Sequence, residues 1–431
     1  MPRPMEAILQ QFADLRRRLH KNEVWRNVDF TPFLSAEMRM PHPDEGGDYT
    51  LHCNVPNLDT YSVVIENGYC RQPLTTTAEG IIMGSLRQAM QQYPEQVAEV
   101  AAHCEGDNDY CRMNRDNYSD GAFIYVPRGC TAAKPIQLLS IHSANDPLLL
   151  QTRNVVLLGD DSHATLIHCD DSTNQQSTFA NNVTQILIGR NARLEHYKMQ
   201  NINDQTGLLN HTYAEMGEGA ALCSVSLTLN GGHIRNHCEV RMAGEHCSTE
   251  VHGLYLNDRS QEADNYVFVD HQHPNCESHE LFKGILDDSA HATFNGHVMV
   301  RDGATKTDAH MTNRNILLTD KATIFTKPFL EIYNDDVKCS HGSSIGQMDD
   351  DAMFYLRSRG ISERSARTLL LYAFCDEVVA KIGLEPLRQR ISDIIKQRLH
   401  GELTVCSDCA LCCSSPCGCA DSHFEIDPTK L

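Results

Sequence analysis

NVVLLGDDSHATLIH at 154–168, TQILIGRNARLEHYK at 184–198, TYAEMGEGAALCSVS at 212–226 and EVRMAGEHCSTEVHGLYL at 239–256 are four versions of one unit. Each runs a short apolar strand into a turn of Gly, Asp, Asn or Glu and out into a second strand. The turn glycines Gly159, Gly189 and Gly217 stand 30 and 28 residues apart. Shorter or offset copies follow in ILDDSAHATFNG, VMVRDGATKTDAH and ILLTDKATIF. A strand-turn-strand unit with no helix between its copies predicts a β-solenoid, in which each coil buries its apolar face on the next. From the residues alone an irregular β-sandwich is the other reading.

Outward from the repeat toward the C-terminus, the β texture persists through Thr323–Phe325 and Phe329–Tyr333 and narrows to Lys338-Cys339-Ser340-His341-Gly342. Side chains alternate along a strand, so Cys339 and His341 share a face. A thiol and an imidazole are ligands suited to iron, zinc or copper. Lys338 beside the thiol is expected to favour the thiolate. A Cys-x-His pair alone is a weak sign of metal, because buried cysteine is common for packing reasons.

Residues 349–400 read as helical. Asp349–Asp351 place negative charge at a helix start, Gly360 can end that helix and Ser362 can cap the next. Leu370, Phe374 and Val378 form an apolar stripe, and Pro386 opens a third helix. A helical cap closing the solenoid is the plain structural reading. At the other end, Ile8, Phe12, Leu15 and Leu19 have helical spacing, and 78–104 reads as helical with a second start at Pro94. Residues 41–50 read as a loop. The resulting division is 1–115 mostly helical, 116–345 β core, 346–400 helical and 401–431 a cysteine-rich tail.

The 431 residues carry a formal charge of −20, which argues against nucleic acid as a partner. Hydrophobic content of 41% and charged content of 22% fit a folded soluble protein. No apolar run is long enough to span a membrane, and MPRPMEAILQQFADLRRRLH lacks the apolar centre of a signal peptide, so a cytoplasmic location is expected. Thiols or metal ligands are then the expected use of the 18 cysteines. Six of the 18, Cys406, Cys409, Cys412, Cys413, Cys417 and Cys419, crowd the tail. Their first spacings resemble a ferredoxin run, with Pro416 where its fourth cysteine would stand, so they are candidate metal thiols.

Two further chemistries are testable in the residues. His271-x-His273, followed by Glu277 and Gly284, matches the first metal motif of cupins, which would make the chain a stand-alone metalloenzyme using His271, His273 and Glu277. The leading glycine and a second motif are missing. There is no G-x-S-x-G elbow and no GxxxxGK[ST] phosphate loop, so no ATP is expected to bind this chain.

The run TKPFLEIYNDDVKCSHGSSIG, with MTNRNILLTDKA before it and FYLRSRGI and LLLYAFCDEVV after it, closely resembles the SufD-type subunits of the SufB/SufD family, scaffolds for iron–sulfur cluster assembly. HPNCESHELFKGIL with FNG, and more weakly WRNVDFTPF, resemble the same family. The resemblance implies a mainly β fold, a right-handed parallel β-helix flanked by N-terminal and C-terminal helical regions. It implies a subunit that is not itself an enzyme, paired with a SufB-like chain. A SufC-like ABC ATPase would bind the C-terminal helices. Cys339 and His341 would help receive iron and persulfide sulfur as a transient Fe-S cluster at the SufB–SufD interface. It leaves room for reduced flavin on the complex and for a homodimer of the isolated chain. SufB-type chains carry a key cysteine in the preceding GDKCGAH segment; here Thr319-Asp320-Lys321-Ala322 stands in its place, so a partner would complete the site.

Overall fold

The computed structural model describes residues 5–46, 55 and 58–400. Strands alternate between two ten-stranded sheets, and each pairs with the strand one coil before it and one coil after. From Ile136 onward every such pairing is parallel: Leu194 lies between Ala164 and Leu222, and Ile234 between Leu208 and Ala263. This is the parallel β-solenoid; the sandwich reading is excluded.

One corner of the coils explains the turn signals. Asp161, Asn191, Gly219, His246, Asn275 and Lys306 all have φ between 54 and 66°. Each donates its backbone N–H to a carbonyl in the following coil, at 2.6 to 3.4 Å. Asp, Asn and Gly reach this left-handed region most readily. His246 and Lys306 sit there because the ladder requires it. The apolar interior runs the length of the stack, from Val63 to Ile324. It is not uniformly apolar: Gln200, Thr228 and Asn236 hydrogen-bond to one another across coils, and Glu280 is buried among the later coils.

Helices cover the outer face of each sheet. α1 (Met5–Leu19) buries Ile8, Phe12 and Leu15 with Trp25 and Phe30 against Leu149, Phe179 and Leu209. α2 (Leu86–Gln92), α3 (Pro94–His103) and α4 (Asp109–Asn117) follow on the same side, with Pro94 opening α3 as expected. The stretch before α2 is not helical: Ile82–Ser85 is a strand, antiparallel to Ala122–Val126. Tyr61–Glu66 joins the other sheet beside Ile136–His142. At this end the sheets finish in Tyr69–Cys70 and Thr75–Thr76, which pair antiparallel and turn the edges aside.

On the opposite face lie α6 (Glu363–Val379) and α7 (Glu385–His400), with α5 (Asp350–Ser358) ahead of them. Asp349 and Ser362 cap α5 and α6 through their side chains, and Gly360 ends α5 at φ 86°. The buried face of α6 is Leu371, Cys375, Val378 and Val379, one residue on from the expected stripe. Leu370 and Phe374 stay half-buried because the helix meets a sheet and Lys283 donates to the Phe374 carbonyl at 2.9 Å. These helices pack on the side of the solenoid, against Ile167, Tyr197 and Leu227, and do not cap its end. No helix among the described residues is long and apolar enough to cross a membrane.

Candidate functional site: the open last coil

The solenoid stops abruptly. Val337–Gly346 pairs with Thr307–Leu317 on one side and is the last strand of its sheet; Thr323–Ile332 is the last of the other. In register, Cys339 lies beside Ala309 and His341 beside Met311. Ala309 and Met311 are fully enclosed by the core. Cys339 and His341 therefore continue two interior columns into a coil that no described residue stacks on. Cys339 is half-buried and His341 exposed. Two positions apart on a strand, their Cα atoms stand roughly 6.6 Å apart, close enough to converge on one metal.

Burial, and after it the charge of Asp308, push the Cys339 thiol up. The thiol is thus held protonated until a cation takes the proton's place. This corrects the expectation for Lys338. It points to the opposite face by strand alternation, is exposed, and lies beside Asp308 in the register rather than beside the thiol. On that outer face His310 contacts Ser340 at 2.6 Å and Asp308 at 2.7 Å. Where the two terminal strands meet, the hydroxyls of Thr326 and Ser343 are 2.8 Å apart.

The rim of this end is apolar. Among the described residues, the large hydrophobic side chains left exposed are Phe325 (63%), Phe329, Ile332, Tyr333 (59%), Ile345, Phe354 (75%) and Tyr355, all near the open coil, with Met90 the exception. α5 buries no residue of its own. Sequence reasoning passed over these side chains. The aromatic density of TIFTKPFLEIY and MFYL was their visible signal, but it reads equally as core.

The other candidates do not assemble. His271 is fully buried, bonded to Ser278 at 3.1 Å, and burial pushes it down to about 4. His273 and Glu277 are exposed, across a corner between strands of different sheets. Among the described residues no three His, Cys, Asp or Glu side chains gather as a metal site. The cupin reading fails on this geometry and on the solenoid itself, since cupins are antiparallel jelly rolls. Cys406, Cys409, Cys412, Cys413, Cys417 and Cys419 lie outside the described residues. Ala322, at the position where SufB-type chains carry a thiol, is buried in the core.

Two family profiles match this chain: the SufBD core domain of the SUF system for FeS cluster assembly over 140–374, and the SufBD protein N-terminal region over 3–138. The iron-sulfur cluster assembly protein SufD of Escherichia coli is 34% identical over 91% of this chain and 92% of its own length.

The chain belongs to the SufB/SufD family, in its SufD group.

An iron-sulfur cluster assembly SufBD family protein of Synechocystis is 29% identical over 80% of this chain and 79% of its own. The SufD of Bacillus subtilis is 26% identical over 65% and 64%. The core match spans the repeats, Cys339 and His341 together. For a SufD-family chain the role is iron–sulfur cluster assembly.

Proposed function

We propose that this SufD-family chain is a non-catalytic scaffold subunit for de novo iron–sulfur cluster assembly. Its open coil pairs with a SufB-like chain, and Cys339 and His341 form part of the cluster site at that interface. The observation that carries this is the end itself: two ligand-type side chains in interior columns, on an unpaired strand, ringed by exposed apolar side chains. An unpaired edge takes another strand readily. Two side chains are too few for an iron–sulfur cluster, so the remaining ligands come from the partner.

When closed, the interface gives Cys339 what Ala309 and Met311 already have, a dry wall on every side. The thiol then gives up its proton as iron binds, and closure shields the thiolate and the incoming sulfur from oxygen. Opening and closing such a joint needs work. The chain has no phosphate loop, so a SufC-like ATPase supplies it. α6 and α7 are a suitable handle, because they are rooted in the sheet wall by Leu387, Ile391 and Ile394. Without a SufB-like partner, the same edge pairs with a second copy of this chain. The chain works in the cytoplasm, a reducing compartment that keeps thiols such as Cys339 free.

Anaerobic co-purification of the tagged chain, with mass determination of the intact assembly, tests this. A SufB-like chain and an ATPase are expected in it. A metal-loaded chain with neither would overturn the proposal.

A further inference from the structure

Two thiols face each other in the solenoid wall, away from the open end. Cys247 and Cys276 immediately precede the paired strands Ser248–Asn257 and Glu277–Leu286, whose register sets Ser248 beside Glu277. The Glu277 N–H donates to the Cys247 carbonyl at 2.9 Å, which fixes the two residues side by side. Both are buried, 1% and 0% exposed. Their sulfurs converge on one acceptor: Cys247 Sγ is 3.2 Å and Cys276 Sγ 3.3 Å from the carbonyl oxygen of Gly244. The neighbouring Cys276 thiol and burial hold the Cys247 thiol up.

The fold does not demand thiols here. In other coils the same corner holds Ser162 and Thr307, whose hydroxyls donate to the Gly159 and Ala304 carbonyls at 2.7 and 2.9 Å. Elsewhere the position holds Ala192 and Ala220, with no side-chain donor at all. Placing sulfur in two neighbouring coils adds something a hydroxyl cannot. Adjacent strands lie roughly 4.7–4.9 Å apart, inside the roughly 4.4–6.8 Å that a disulfide bridges between Cα atoms.

We propose that Cys247 and Cys276 are a redox site, closing a reversible disulfide between two coils when the protein meets hydrogen peroxide. One thiolate attacks the peroxide; an S–O bond forms, the O–O bond breaks, and the departing hydroxide leaves as water. The second thiol displaces the sulfenic oxygen as a second water, and the S–S bond forms. Two thiols lose two electrons and two protons, and one peroxide is reduced to two waters. His246, next in the chain, is exposed, so the pair lies one residue beneath the surface. A dithiol reductant reverses the step. The bond ties the wall two coils before the Cys339 strand.

The test uses the full chain, purified anaerobically, exposed to graded hydrogen peroxide and then alkylated in denaturant. Cleavage after Arg241, Arg259 and Lys283 puts the two cysteines on separate peptides. The expected product is one linked pair of these peptides, two hydrogens lighter than their sum, lost on treatment with dithiothreitol. It is absent from Cys247→Ser and from Cys276→Ser, whose melting matches the reduced parent. Recovery of both cysteines alkylated, at a peroxide dose that oxidises Cys339, overturns the proposal. So does a link from either one to a third cysteine.

Discussion

Cys339 stands in a column of core residues and is itself only half-buried. Replacing it with alanine should cut cluster formation on the complex to less than roughly a hundredth, beyond the 10–100-fold typical of outer-shell losses, while assembly persists. Failure of the subunits to assemble would make the residue structural. Because burial and Asp308 raise its pKa, ferrous ion uptake should strengthen as pH rises from about 7 to about 9, and Cys339→Ala should flatten that slope. The buried histidines set a different pH dependence. Burial pushes His142 down to about 4 and His196 to about 3. They are neutral in the folded chain, so the stability they confer is complete above their unfolded pKa of about 6.5 and is lost as pH falls toward 4. Burial pushes Glu280 up to about 8 and Glu239 to about 7, which favours the fold at low pH and costs it as pH rises. Histidines forced down outnumber these two acids, so the urea midpoint should peak near about pH 6.5 and fall more steeply on the acid side. That Cys339 and His341 share a face was legible, because period-two alternation needs only a strand. The inversion of the Lys338 effect was not, because it depends on which face the thiol takes and on Asp308 one coil away.

Among the elements, strand and corner carry the fold. The repeat was readable because every coil must turn through the same left-handed corner, and Asp161, Asn191 and Gly219 mark it in sequence. Tyr61–Glu66 was not recognised as a coil member, because its parallel partner Ile136–His142 lies beyond three intervening helices and no turn repeat links them. The α6 face was misread by one residue, since helical period alone leaves the rotation to whatever the helix packs on. Close approach makes one corner position sharply testable. A Cβ on Gly121 would stand 1.7 Å from the Arg153 carbonyl oxygen, a backbone atom held in the next coil. Gly121→Ala should destabilise the chain by about 3 kcal/mol or more, read as a lowered denaturant midpoint. On the helical side, Ile391 is fully buried against the sheet. Ile391→Ala should cost about 2–5 kcal/mol, with hydrogen exchange in α7 rising before that of the strands.

For the whole molecule, the decisive property is the difference between its two ends. The exposure of the last strands follows because, among the described residues, no further coil comes after Gly346 and α6 and α7 go to the side wall. If that end is a joint, Ile345→Asp or Phe354→Asp should weaken capture of a SufB-like chain by more than roughly tenfold. The melting temperature of the isolated subunit should stay the same, because both side chains are already exposed.

The opposite end gives this joint a further consequence. There the short antiparallel strands Tyr69–Cys70 and Thr75–Thr76 close the stack. A solenoid with two live ends would polymerise; one with a single live end has a valence of one, and any association through it stops at a pair. Copy number then matters. If the open end is a joint, each chain made in excess of its partner keeps an unsatisfied end, which another surplus copy can occupy. A cell that uses this protein as half of a joint must keep its synthesis matched to that of the other half.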